Sequence, residues 1–216
     1  QRRLTPDEKA TLSAAASGMA STLKLVEEDR EKSTLAHAVS INEQIVFENK
    51  ELHDFFFGHI RWGEKHSLGV GSGFSIKTLE LPMPLAFAFR FFAWWRLLEK
   101  LNAVGLSKSI PAQTAKIYES SAAIGAITIR GEQKEHFIDA GRTMQRVWLE
   151  ATRLGLSMQL LAGISCLVQR IRAGEPDTIS PRHVVMITDA YNKIAAACEL
   201  DASSTIALLF RIGRSA

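Results

Sequence analysis

The stretch DAGRTMQRVWLEATRLGLSMQLLAG, residues 139–163, decides the fold of this chain. Its apolar residues recur at spacings of three and four, which predicts a helix with one buried face formed by Met144, Val147, Trp148, Ala151 and Leu154. Gly155 is a good helix terminator. The chain then stays largely apolar up to Gly163, which favours a loop where a flat, partly apolar ligand lies against exposed backbone.

The remaining patterns surround this helix with strands and further helices. Thr5, Pro6 and Glu8 form a capping box that starts a helix, and residues 28–62 predict one long helix or two shorter ones. Strands are predicted at 21–27, 121–130 and 204–213, and further helices at 111–120, 165–174 and 181–200. About three strands in alternating order with helices predict an α+β (α/β) fold, with a small sheet covered by helices.

Composition limits the classes of function. The 216 residues carry a formal charge of +3 and are 46% hydrophobic, which is typical of a folded protein. Basic and acidic residues are interspersed, so we expect no nucleic-acid partner. The two cysteines, Cys166 and Cys198, do not form a disulfide framework, and we expect core thiols in a cytoplasmic protein.

An aromatic segment, MPLAFAFRFFAWWRLLEKL at 83–101, has three interpretations. Arg90 and Arg96 interrupt it, and its uncharged run is far shorter than the ~20 residues that span a bilayer. It is a helix buried in its own subunit, a dimer interface, or a helix attached to a membrane surface with both arginines reaching the headgroups. We expect the membrane surface least.

Other motifs are weak. His59, Glu64 and His66 lack the spacing of a metal site, so no metal is expected. GVGSGF at 69–74 lacks the strand, the helix and the Lys-Ser/Thr ending of a phosphate-binding loop, which favours a turn. Ser165 and Cys166 have no paired base in the sequence.

The run AGRTMQRVWLEATRLGLSMQLLAG at 140–163 resembles the FMN-dependent nitroreductase family, in which a helix of the form Ala-Gly-x-x-x-Gln-x-x-x-Leu-x-Ala-x-x-Leu-Gly-Leu packs at the dimer core. SAAIGAITI at 121–129 and IALLFRIGRSA at 206–216 resemble that family's central and closing strands. The resemblance implies a nitroreductase-like homodimer with a small central mixed sheet. It implies one domain over 1–216, N-terminally incomplete, with a helical excursion at 83–120.

The resemblance also implies a flavin site. The flavin-facing segment is then Gln159, Leu160, Leu161, Ala162 and Gly163, with backbone N–H groups of Ala162 and Gly163 facing flavin N5, and the phosphate end is Arg211 and Arg214. Two features of the family are missing. The Arg-rich opening and its Ser/Asn-containing loop do not occur, and Ala162-Gly163 stands where many members have Glu-Gly.

The implied function is an FMN-dependent oxidoreductase that passes electrons from NAD(P)H through flavin N5 to a small organic acceptor. The missing Arg-rich segment keeps a second hypothesis open, namely a cofactor-free relative that serves binding or assembly. A third hypothesis is a peripheral membrane protein anchored by residues 87–95.

Overall fold

A computed structural model describes residues 2–63, 73–79, 83–175 and 178–214 of the chain. Its helices are α1 (Pro6–Ala16), α2 (Asp29–Glu48), α3 (Lys50–Gly58), α4 (Met83–Phe92), α5 (Trp95–Ala103), α6 (Leu106–Glu119), α7 (Lys134–Arg153), α8 (Gly163–Arg172) and α9 (Pro181–Ala197). Its strands are β1 (Thr22–Val26), β2 (Ile60–Arg61), β3 (Phe74–Ser75), β4 (Ala123–Arg130), β5 (Ser157–Leu160) and β6 (Ser204–Gly213). None of the helices in these ranges is long and apolar enough to cross a membrane.

The main sheet has the strand order β1-β4-β6-β5, and every pairing in it is antiparallel. The predicted α+β class is confirmed, but this sheet is antiparallel where a mixed sheet was expected. The reason is the position of β6. Strands β4 and β5 run parallel to each other, yet β6 lies between them and pairs antiparallel with both. In the described chain, parallel pairing is confined to the short β2–β3 ladder.

Helices cover both faces of this sheet. One core lies between the sheet and α2, α6, α8 and α9, and includes Leu35, Ile187 and Ile194. The other core lies between the sheet and helices α1 and α7. Burying apolar side chains on both faces is the main stabilising term of such a layered fold.

Helix α7 confirms the helix that the opening stretch predicts. Met144, Val147 and Ala151 are buried against the sheet and α1. Trp148 remains 38% exposed, so this part of the expected buried face is turned toward solvent. Gly155 follows the helix with φ +68°, a left-handed conformation that glycine adopts without strain.

Strand β5 replaces part of the loop expected after α7. Its residues pair with the end of β6, Gln159 opposite Arg211 and Leu160 opposite Phe210. The sequence missed this strand because it has only four residues, too few for their alternation of polar and apolar side chains to stand out from the apolar residues on either side. The open edge of β6 supplies the backbone partners that convert this run into a strand.

One helix alternative that the sequence left open is now decided, and two helix bounds differ from the sequence prediction. Residues 28–62 form two helices because Asn49 ends α2 and caps α3, its side chain accepting a hydrogen bond from Leu52 N–H at 3.0 Å. The aromatic segment breaks between α4 and α5, around Ala93 and Trp94. Helix α6 begins at Leu106, ahead of the predicted Pro111, which lies inside it.

Candidate functional site

A cavity of about 450 Å³ lies between helices α2, α4 and α6 and the junction of β5 with α8. It is lined by all five residues of the predicted flavin-facing segment, Gln159, Leu160, Leu161, Ala162 and Gly163, and by Arg211. Its volume is within the range of about 300–1,000 Å³ that is usual for small-molecule sites. The structure thus brings six of the seven predicted site residues to one cavity.

The β5–α8 junction forms one wall of this cavity. Leu161 is buried, and its N–H donates to the Leu209 carbonyl at 2.8 Å, which fixes the segment to β6. Helix α8 begins at Gly163, and its first internal bond runs from Cys166 N–H to the Ala162 carbonyl at 2.9 Å. The N–H groups of the first turn have no acceptor within the helix, so this end favours ligands with acceptor atoms or negative charge.

Gly163 is in close contact with helix α2. A Cβ atom built at Gly163 would lie 2.1 Å from Asn42 Oδ1 and 2.3 Å from Asn42 Cγ, well inside van der Waals contact. Asn42 also lines the cavity. The glycine is therefore required by the approach of the Asn42 amide.

Arg211 is held at the edge of the cavity by three contacts. Its Nε donates to Gln159 Oε1 at 2.6 Å, and an Nη1 hydrogen donates to the Ile117 carbonyl at 3.3 Å. The guanidinium carbon lies 5.7 Å from the centre of the Tyr118 ring, within the range of a cation–π contact. These contacts orient a planar cation beside the cavity, where it suits a phosphate group.

Arg214 is not brought to this cavity. Its Nη2 lies 3.3 Å from Glu8 Oε1, and Arg2 binds the same carboxylate at 2.7 and 2.9 Å. The Arg2 hydrogen bonds, with the Thr5 N–H next in importance, lower the pKa of Glu8 to about 2. The cluster ties the closing strand to the capping box of α1.

Sequence reasoning missed Glu43 and Tyr118. The Tyr118 hydroxyl donates to Glu43 Oε1 at 3.0 Å, and both side chains line the cavity. Burial raises the pKa of Glu43 to about 7, and burial together with the Glu43 charge raises the pKa of Tyr118. The available signal was an acidic residue four positions after Val39 on the apolar face of α2.

The rest of the cavity wall is largely aromatic and aliphatic. Phe47 and Phe92 pack edge to face with centroids 5.8 Å apart, and Phe89 lies beside them at 6.5 and 6.1 Å. Phe56 completes the aromatic part of the wall. Flat apolar walls with a few polar groups suit a planar heteroaromatic ligand.

The opposite face of α4 is exposed. Phe87, Phe91 and Trp94, spaced i, i+4 and i+7, are 66%, 38% and 66% exposed and contact one another edge to face. The aromatic segment is therefore divided between a cavity wall and a surface. Burial in the same subunit accounts for only one of its faces.

Among the residues that the structure describes, the remaining sequence candidates form no second site. Within the described ranges no three His, Cys, Asp or Glu side chains are grouped as metal ligands, while Glu64, His66 and most of GVGSGF lie outside those ranges. Cys198 is buried as expected. Cys166 is exposed, contrary to the expected core thiol, because it lies on the outer side of α8.

Comparison with known proteins gives structural likeness alone. No family model and no curated protein matches the chain. A Bacteroides fragilis nitroreductase with bound FMN is 9% identical, with all of this chain matched to 80% of that one at a TM-score of 0.48.

Two further solved structures are similar to the same degree. The FMN and NADPH-dependent nitroreductase NfnB from Sphigopyxis sp. strain HMH is 12% identical, with coverage of 100% and 81% and a TM-score of 0.48. The FMN-dependent NfnB from Mycobacterium smegmatis, in complex with NADPH, is 11% identical, with coverage of 99% and 79% and a TM-score of 0.47. These likenesses, all at TM-scores below 0.5, transfer no ligand and no activity to this chain.

Proposed function

We propose that this protein is an FMN-dependent oxidoreductase that takes electrons from NAD(P)H and passes them to a small organic acceptor. The observation that carries the proposal is the convergence of residues 159–163 and Arg211 on one cavity with aromatic walls. The family resemblance of the sequence names these residues independently of the structure. The electron donor rests on that resemblance alone.

The residues present fit a flavin. The β5–α8 junction offers backbone donors to the edge of a ring, and Arg211 offers guanidinium hydrogens to a phosphate. The aromatic walls suit the flat ring system, and the buried Glu43 Oε2 atom has no hydrogen-bond partner among the described residues. A bound ligand with a polar ring edge supplies such a partner.

Each element of the site has its own task in this proposal. FMN supplies the two-electron chemistry when it is bound, and the protein orients the ring and sets its electrostatic surroundings. With FMN bound, the backbone at Ala162 and Gly163 would face the hydride-accepting edge of the ring. Arg211 would hold the phosphate, and Phe47, Phe89 and Phe92, which line the cavity, would exclude water from the ring.

We further propose that the chain acts as a homodimer through the exposed aromatic surface formed by Phe87, Phe91 and Trp94. Phe87 and Phe91 of this surface lie on the same helix as Phe89 and Phe92, which line the cavity, and Trp94 follows that helix. Exposed aromatic side chains that contact one another are typical of the centre of a protein interface. Association at this surface would hold α4 in place as a wall of the flavin site.

Comparison of FMN with riboflavin in an Arg211→Gln variant tests the flavin site. Riboflavin has the same ring without the phosphate, so loss of the guanidinium should weaken FMN by about 10–100-fold and leave riboflavin unchanged. Arg142→Gln is the matched control, because Arg142 lies on α7 with 66% of its side chain exposed and pairs with Asp139. Absence of saturable FMN binding to the wild-type protein would sink the proposal, and equal loss for both flavins would remove Arg211 from the phosphate site.

A further inference from the structure

The proposed function leaves one buried ionisable group of the cavity without a role. Glu43 lies on α2 and lines the cavity, and its Oε1 atom accepts the Tyr118 hydroxyl hydrogen at 3.0 Å. Its Oε2 atom is buried and has no hydrogen-bond partner among the described residues. An unpaired buried oxygen is costly, so the arrangement favours a partner that arrives with the ligand.

Glu43 is adjacent to the proposed ring site. The side chain of Asn42, the preceding residue, lowers the pKa of Glu43 against the effect of burial and also lies against Gly163 at the start of α8. The Glu43 carboxyl group is therefore close to the Asn42 amide, which lies against the backbone of the β5–α8 junction. In the proposed site, a group in this position would lie beside the ring.

Few charged groups act on this carboxyl. Among the described residues that line the cavity, the charged or titratable side chains are Glu43, Tyr118 on α6 and Arg211 on β6. Arg211 lies 5.7 Å from the centre of the Tyr118 ring, and its hydrogen bonds go to Gln159 and to the Ile117 carbonyl rather than to Glu43. Burial raises the pKa of Glu43 to about 7, so the neutral form is well populated at neutral pH.

We propose that Glu43, in its protonated form, donates a hydrogen bond from Oε2 to an acceptor atom on the edge of the planar ligand in this cavity. The inference rests on the proposed function, in which this ligand is the flavin ring, and it extends that function to one specific contact. Carbonyl oxygens and ring nitrogens are the acceptors that a neutral carboxyl group recognises. The ionised carboxylate has no hydrogen to donate and would face those acceptors with a negative charge.

The contact makes flavin affinity depend on pH. If only the protonated form binds, the apparent affinity follows the protonated fraction, which falls about tenfold between about pH 6 and about pH 8 for a group with a pKa near 7. The Tyr118 hydrogen bond lowers the pKa of Glu43 against the effect of burial. Tyr118→Phe should therefore move the midpoint of the pH dependence upward.

The experiment is a riboflavin titration across this pH range, followed by the fluorescence of the flavin. Riboflavin is used because it lacks the phosphate and so separates the ring from Arg211. Glu43→Gln keeps a hydrogen donor that does not titrate. Glu51→Gln is the control, because it removes one exposed carboxylate from α3, outside the cavity.

The expected result is about tenfold weaker riboflavin binding at pH 8 than at pH 6 for the wild type and the control, and no pH dependence for Glu43→Gln. Tyr118→Phe provides a second test should Glu43→Gln fail to fold. Affinity that rises with pH, or pH dependence that is the same in Glu43→Gln, overturns the inference and leaves the flavin site standing. Absence of FMN and riboflavin binding at every pH overturns the proposed function together with this contact.

Discussion

Replacement of Gly163 by alanine tests the contact between α8 and α2 at the centre of the proposed site. The added Cβ would lie 2.1 Å from Asn42 Oδ1 and 2.3 Å from Asn42 Cγ. Ordinary contact requires about 3.4 Å or more, so the Asn42 amide must move by roughly 1 Å. Because the amide is the end of a side chain, the cost should be about 1–2 kcal/mol, in the lower part of the range for overpacking.

The partner variant, Asn42→Ala, removes the atoms that collide. In that background Gly163→Ala should be neutral or stabilising by up to about 1 kcal/mol, because alanine is a better helix former than glycine. The two substitutions are thus coupled by about 1–3 kcal/mol. Urea unfolding of the two single variants and the double variant measures this coupling.

Gly141→Ala is the matched control for helix propensity. Gly141 lies within α7, and nothing in the described chain comes within 4 Å of a Cβ built there. We expect this substitution to be neutral or mildly stabilising. A Gly163→Ala variant that behaves like Gly141→Ala, with or without Asn42, would refute the contact. FMN affinity should fall in Gly163→Ala, because the displaced amide is pushed from its place beside Glu43.

Two further predictions concern the termini and the surface. Glu8→Gln should lower the free energy of unfolding at neutral pH by about 1–2 kcal/mol, a value kept small because water screens the half-exposed Arg2. Glu28→Gln is the control, because Glu28 is exposed. Because the pKa of Glu8 falls from 4.5 to about 2 on folding, this stabilisation is present above pH 4.5 and is lost as the pH falls toward about 2. A stability difference between wild type and Glu8→Gln that does not shrink in acid would contradict this prediction. Light scattering should give twice the 23.9 kDa of one chain for the wild type and for Val185→Ser, a control on the surface of α9. The double variant Phe87→Ser/Trp94→Ser should give the mass of a single chain. A monomeric wild-type protein would contradict the proposed interface.

The sequence was informative where local signals agree with the fold. The capping box of Thr5, Pro6 and Glu8 is present in the structure, and β6 spans the predicted residues 204–213. The apolar face of α7 is buried at Met144, Val147 and Ala151. In each case the backbone conformation and the burial pattern follow from residues that are close in sequence.

Other features depend on contacts that no short window contains. Strand β5 forms because the edge of β6 is open beside it, and β6 separates β4 from β5, which makes the sheet antiparallel. The requirement for glycine at 163 comes from Asn42, which is distant in sequence. The sequence analysis placed Gly163 at the end of a loop, and that placement gives no indication of a contact with Asn42.

The residues of the candidate cavity could be named from the sequence in part. The segment 159–163 and Arg211 lie together at the cavity, whereas Arg214 lies at Glu8. Glu43 was overlooked because a single acidic residue on a helix is usually solvated. Only the packing of α6 against α2, which brings Tyr118 to 3.0 Å from its carboxyl group, shows that it is buried.

The most direct measurement is an equilibrium titration of the purified wild-type chain with FMN, followed by the fluorescence and the visible absorption of the flavin. The account predicts saturable binding of one FMN per chain, with quenched fluorescence as the ring enters the aromatic cavity. Unbound flavin spectra at every protein concentration would contradict the account, and would leave a cofactor-free member of this fold.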